Sequence, residues 1–180
     1  MKLLRTIRLD PSDTFVFARA AEPGEWAVSG AFAFWDCDPA TLTGKARAAF
    51  RSGFLGIDSL GRSTLAQIVE ASAADRETAV TQLAERLVDH FGAPDLDAAR
   101  AAAEEEIAFA ESLCVHPADT LIAVQRTVEA DGVREAFRSL HPRQAGSGFR
   151  AFSFLETDET DEEAQDDAVD LIALAKESGR

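Results

Sequence analysis

The sequence predicts an α+β fold: a largely antiparallel sheet of five to seven strands, with a helical pair packed on one face and a C-terminal helix. Three observations carry this expectation. Strand-forming segments cluster towards both ends of the chain, two amphipathic helices follow one another in its middle, and the regular strand and helix alternation of a doubly wound sheet is missing. The predicted organisation is one α+β domain over residues 1–155, followed by an acidic linker and an amphipathic helix over 156–180.

Taken in order, Lys2 to Leu9 alternates as a strand does, and Thr14 to Ala18 offers a second strand after the Asp10-Pro11-Ser12-Asp13 break. Glu22-Pro23-Gly24-Glu25 is a turn signature and Trp26 to Trp35 is rich in strand formers, so a hairpin around Pro23-Gly24 is expected. Asp38-Pro39 ends it, and a short helix from Thr41 follows, carrying Lys45, Arg47 and Arg51. A glycine-rich loop, Gly53 to Ser63, leads to Thr64 to Ala71, whose length and Ile68-Val69 pair favour a strand.

From Asp75 onward Ala79, Val80, Leu83, Ala84, Leu87, Val88 and Phe91 recur at helical spacing, with Ser72-x-x-Asp75 as a start signal and Gly92 as a stop. Pro94-Asp95 opens a second helix, striped by Leu96, Ala99, Ala103, Ile107, Ala110 and Cys114. The short connection makes the two an antiparallel pair. Thr120 to Glu129 reads as a strand, Asp131-Gly132 as a hairpin turn and Val133 to Leu140 as the returning strand, although Val133, Phe137 and Leu140 also fit a helix. Phe149 to Leu155 supplies a last strand. In the tail, Thr160-x-x-Glu163 is a capping box before Ala168, Leu171, Ile172 and Ala175, which predicts the terminal helix.

At 180 residues, with 46% hydrophobic and 28% charged, the chain can bury a core without a disulfide or metal. Its net charge of −14 argues against nucleic acid or anionic lipid as a partner. The charge is uneven: residues 156–180 hold ten acidic and two basic residues, hence −8. Cys37 and Cys114 do not form a disulfide framework, and neither a signal peptide nor a membrane span is expected, which reads as a cytoplasmic protein.

Gly56-x4-Gly61-Arg62-Ser63 differs from a phosphate-binding P-loop at Arg62, where lysine is needed. A P-loop also follows a buried strand, whereas Ala48 to Ser52 looks like the end of a helix, so nucleotide binding is rejected and no cofactor is expected. The glycines suit a tight connection, but Phe54, Leu55, Ile57 and Leu60 are large for a solvated loop; it either folds into the core or presents an apolar surface, with Asp58 and Arg62 pairing there.

Ser59 and Ser147 lack the symmetric glycines of a nucleophile elbow, and no serine or cysteine triad is signalled around His90, His116 and His141. Cys114-x-His116 alone makes no zinc site, and Glu104, Glu105 and Glu106 read as a solvated face, so no metal is expected. Two surfaces remain. Trp35-Asp36-Cys37-Asp38 closes an apolar strand, and Arg126, Arg134, Arg138, Arg143 and Arg150 gather with His141 near the second hairpin, where Arg134 and Arg138 share a strand face. The acidic terminal helix is one candidate occupant of that arginine face, in the same chain or a neighbour.

The block Phe50 to Gly61, together with Arg138-Ser139-Leu140-His141-Pro142-Arg143, resembles small bacterial proteins grouped as a family of unknown function. The resemblance implies a bacterial cytoplasmic protein and brings no activity with it. The expectation is therefore a non-enzymatic accessory or protein-interaction module, with a homodimer through the C-terminal helix as one form of association. A small-anion or cofactor site at Arg62 and the second hairpin is the alternative. The predicted ligand or partner surface comprises Trp35, Phe54, Asp58, Arg62, Arg134, Arg138, His141 and Arg143.

Overall fold

A computed structural model describes residues 1–130, 132–142 and 152–154. The alternation at the N-terminus forms β1 (Lys2–Ile7), the Pro23-Gly24 turn leads into β2 (Trp26–Val28), and the glycine-rich stretch yields β3 (Phe54–Gly56) and β4 (Arg62–Ser63). Next come β5 (Leu65–Glu70), β6 (Leu121–Glu129), β7 (Gly132–Pro142) and β8 (Phe152–Phe154). They form one antiparallel sheet of eight strands in the order β4-β3-β2-β1-β5-β6-β7-β8, so the α+β class holds with one strand more than expected.

The helices are α1 (Ser12–Val16), α2 (Gly44–Ser52), α3 (Ala73–Phe91) and α4 (Leu96–Ser112). Ser72 and Asp75 form the expected capping box on α3, and Gly92 closes it with a left-handed φ of 74°. Asp95 caps α4 through the Ala98 amide. The two helices pack against each other, and α4 lies along β1 and β2 with Ala99, Ala103, Ile107 and Ala110 buried. Small side chains on this stripe let the helix approach the sheet closely. The predicted C-terminal helix, the Thr160 capping box and Arg143 fall outside the described residues.

Two predicted strands are corrected. Thr14 to Ala18 is largely helical in α1, because Pro11 presets the first turn and the buried Asp13 carboxylate accepts hydrogen bonds from the Thr64 hydroxyl at 2.6 Å and amide at 3.2 Å. The Trp26 to Trp35 strand stops at Val28; Gly30 turns left-handed at φ 70°, and residues Ala31–Phe34 form a 3₁₀ turn. A Cβ at Gly30 would lie 2.4 Å from Leu55 Cβ, so only glycine lets the chain leave the sheet here. The hairpin partner of β2 is consequently β1, with Leu4 opposite Ala27. Along residues 133–140 the strand reading wins, since every residue from Gly132 to Leu140 pairs with β6.

The sheet is strongly curled. β3 and β7 stand five places apart in its order, which in a flat sheet is ~24 Å. Yet the rings of Phe54 and Phe137 are 6.3 Å apart, and Phe137 meets Phe109 of α4 at 5.7 Å. The core fills the inside of this curl, with Leu4, Ala27, Phe54, Ala66, Ile68, Ile122 and Val124 at or below 3% exposure. Their shared orientation follows from the strand registers, as alternate residues point to one face.

Candidate functional site

The glycine-rich segment is a buried hairpin rather than a loop. Gly56 N–H donates to Gly61 C=O at 2.9 Å, Leu60 takes φ 55°, and Phe54, Leu55 and Ile57 are at most 1% exposed. Its turn amides bind an anion supplied by the chain itself. Asp58 and Ser59 N–H donate to Glu25 Oε2 at 3.0 and 2.9 Å, and a Cβ on Gly56 would come within 2.6 Å of that oxygen. The likeness to a phosphate-binding loop thus has a physical basis, with Glu25 in place of phosphate. The expected Asp58–Arg62 pair is corrected: Asp58 accepts from Arg86 of α3 at 3.0 Å, while Arg62 turns inward.

Arg62 and Arg126 converge on the C-terminal end of α2. The guanidinium of Arg126 uses all five N–H groups: Nε on Glu135 Oε1 at 2.6 Å, Nη1 on the Phe50 and Gly53 carbonyls at 2.8 and 3.1 Å, and Nη2 on the Ser29 carbonyl and hydroxyl. Phe50 and Gly53 are at the helix end, where carbonyls lack intrahelical donors and the dipole favours a cation. Arg62 Nη1 reaches Gly53 O and Gly30 O at 3.3 Å each, and its guanidinium lies 4.7 Å from the centre of the Phe34 ring. Burial, and after it the charge of Arg126, pulls Arg62 down to about 9, so it remains cationic at neutral pH. Burial also lowers Arg126, opposed by the hydrogen bond and charge of Glu135.

The acidic partners of this cluster stand on β7 and α4. Glu135 binds Arg126 and accepts from the Ser29 hydroxyl. Glu106 is corrected from the solvated face assigned to it: Glu104 and Glu105 are exposed, but Glu106 Oε2 is enclosed and has no hydrogen-bond partner among the described residues. Burial, then the charge of Glu135, raises its pKa to about 7, against the pull of Arg126. The folded state therefore holds this proton more tightly than the unfolded chain, whose reference is 4.5. Stability contributed here is lost as pH rises between those two values. Glu106→Gln is expected to gain on the order of 2 kcal/mol over the parent at about pH 8 and almost nothing at about pH 4, in urea unfolding at both pH values.

A cleft of about 300 Å³ opens beside the cluster, lined by Pro39, Arg47, Phe50, Arg51, Arg126 and Val128. Lys45, Arg47 and Arg51 are exposed on α2, and among the described residues none of the three makes an ion pair. Exposed aromatics border this helix. Phe15 on α1, which touches α2, is 73% exposed, and Trp35 at the end of the 3₁₀ turn is 74% exposed beside the Phe34–Phe50 contact. The neighbouring Cys37 thiol donates to Asp36, and that hydrogen bond raises its pKa, while burial pushes Cys114 to about 11. Both thiols thus stay protonated at neutral pH, which disfavours a nucleophilic role.

The structure scatters the predicted surface. Trp35 is exposed, whereas Phe54 and Arg62 belong to the interior. Arg134 and Arg138 do share an exposed face of β7, with Arg134 3.7 Å from Glu129. His141 contributes backbone to β7 opposite Ser153. Missed by that list were Arg126 and Glu135, although period-two alternation aligns them with Ile122, Val124 and Phe137, and Glu106, which lies on the Ala99, Ala103, Ala110 stripe. Arg47 and Arg51 were visible as charges, but not as the wall of a cleft.

A family model matches this chain over residues 1–159. The chain belongs to the family of unknown function DUF6505. That membership agrees with the resemblance carried by the Phe50 to Gly61 block, which within this family member is the α2 end, β3 and the Glu25-filled turn. No curated protein and no solved structure matches it. Among the described residues, no helix is long and apolar enough to cross a membrane.

Proposed function

We propose that this DUF6505 protein is an interaction module whose basic α2 face receives an acidic segment of a protein partner. The observation that carries the reading is the set of cations Lys45, Arg47 and Arg51 beside a cleft, none of them in an ion pair among the described residues, in a chain of net charge −14. Cations gathered on one helix of an otherwise acidic protein steer anionic partners to that helix. Exposed Trp35 and Phe15 at its borders supply the apolar contacts that such interfaces concentrate. The alternative, a small-anion site built on Arg62 and the second hairpin, loses support because Arg62 is engaged with Gly30, Gly53 and Phe34. The proposed setting is the bacterial cytoplasm, in keeping with the unpaired Cys37 and Cys114.

The test uses a fluorescent peptide rich in Asp and Glu with interspersed Leu, and a control with Asn and Gln in place of the acids. Fluorescence anisotropy should show salt-sensitive binding of the acidic peptide alone, weakened at least ~10-fold in Arg47→Glu/Arg51→Glu and unchanged in Arg134→Glu/Arg138→Glu. Equal affinity in the parent and the α2 variant would remove the cleft from the proposal.

A further inference from the structure

We infer that the cleft between α2 and β6 is occupied, within the same molecule, by the chain's own acidic segment 156–180. This rests on the reading of that cleft as a site for acidic protein segments. Charge complementarity is the first support: segment 156–180 carries −8, while the cleft is walled by Arg47 and Arg51 and floored by Arg126. The segment also intersperses Ala168, Val169, Leu171, Ile172 and Leu174 among its acids, matching the mix of cations with exposed Phe15 and Trp35 around α2.

Reach is the second support. Phe154, the last described residue, pairs with Leu140, and Leu140 pairs with Leu121 at the start of β6. The cleft lies seven residues further along β6, at Val128, which is ~23 Å of strand. With the two strand spacings from β8 to β6 included the separation is ~25 Å, and ten residues of extended chain span up to ~33 Å, so a run the length of Leu155 to Ala164 is long enough for Asp166, Asp167 and Asp170 to reach the cleft. Placement relative to the family is the third support. The family match ends at residue 159, and seven of the ten acids lie beyond it, so most of the segment's charge lies outside the matched domain.

A tethered acidic segment competes with an external one at an effective concentration in the millimolar range, so it sets a threshold that a partner must exceed. The experiment compares three full-length chains in binding the same fluorescent acidic peptide. They are the parent, a tail-neutralised chain (Asp161→Asn, Glu162→Gln, Glu163→Gln, Asp166→Asn, Asp167→Asn, Asp170→Asn), and the neutralised chain with Arg47→Glu/Arg51→Glu. Neutralising the tail should tighten peptide binding ~10-fold or more, the added α2 changes should abolish the gain, and the masking in the parent should not vary with protein concentration. If parent and neutralised chains bind equally, with binding still lost in Arg47→Glu/Arg51→Glu, the tail inference fails and the cleft stands. Binding indifferent to Arg47 and Arg51 overturns both. Masking that grows with protein concentration assigns the tail to a second copy and overturns the same-chain occupancy.

Discussion

Replacing Arg126 with methionine should lower the unfolding free energy by ~3 to 5 kcal/mol, the usual cost of removing one partner from a buried ion pair. The methionine fills part of the space but donates nothing. The Ser29, Phe50 and Gly53 carbonyls lose Arg126 as a donor, and Glu135 keeps its charge without the guanidinium 2.6 Å away. Because these acceptors belong to the segment after β2, the end of α2 and β7, one substitution loosens three elements together. Urea unfolding followed by circular dichroism would measure the loss, and the melting temperature should fall ~10 °C for a domain of this size. Arg126→Met with Glu135→Met should recover part of the stability, since the uncompensated carboxylate goes too. A single variant within ~1 kcal/mol of the parent would mean that the cluster is not a structural centre.

Gly61→Ala should cost ~2 to 4 kcal/mol, through overpacking against backbone that has nowhere to move. A Cβ at Gly61 would lie 2.5 Å from the Ala20 carbonyl carbon and oxygen and from the Ala21 nitrogen. This close approach exists because residues 19–21 run alongside β4: Ala21 N–H donates to Arg62 C=O and Arg62 N–H to Arg19 C=O, each at 2.8 Å. The contact also covers the edge of the sheet, where an unpaired strand would invite association. Gly24→Ala is the control. It has φ 87° but no atom of the described residues within 4 Å of the added Cβ, so only the ~1 kcal/mol backbone cost is expected. Equal effects of the two substitutions in parallel unfolding curves would contradict the packing at Gly61.

The two interior arginines explain why the site was harder to read than the fold. An exposed arginine and a buried one are written with the same letter, and Arg126 was legible only through its alignment with Ile122 and Val124. What makes its burial tolerable is a set of acceptors up to 97 residues away in sequence, assembled by the curl of the sheet. Phe54 shows the converse. Its size argued for burial, yet nothing local specified that it would meet Phe137, because those rings touch only once β3 and β7 close toward each other.

Local chemistry determined the elements whose signals agree with one another. The capping box and Gly92 of α3, the alanine stripe of α4, and the pairing of β6 with β7 around Asp131-Gly132 needed no distant partner to be recognised. Tertiary structure decided the segments with competing preferences. Thr14 to Ala18 became helical where Asp13 could reach Thr64, and Trp26 to Trp35 broke at Gly30 where Leu55 left no room for a side chain. It also decided the surface to which the proposed function is assigned. α2 becomes a basic cleft wall only because Arg126 of β6 arrives beneath its last turn, a contact across 76 residues that no local pattern encodes.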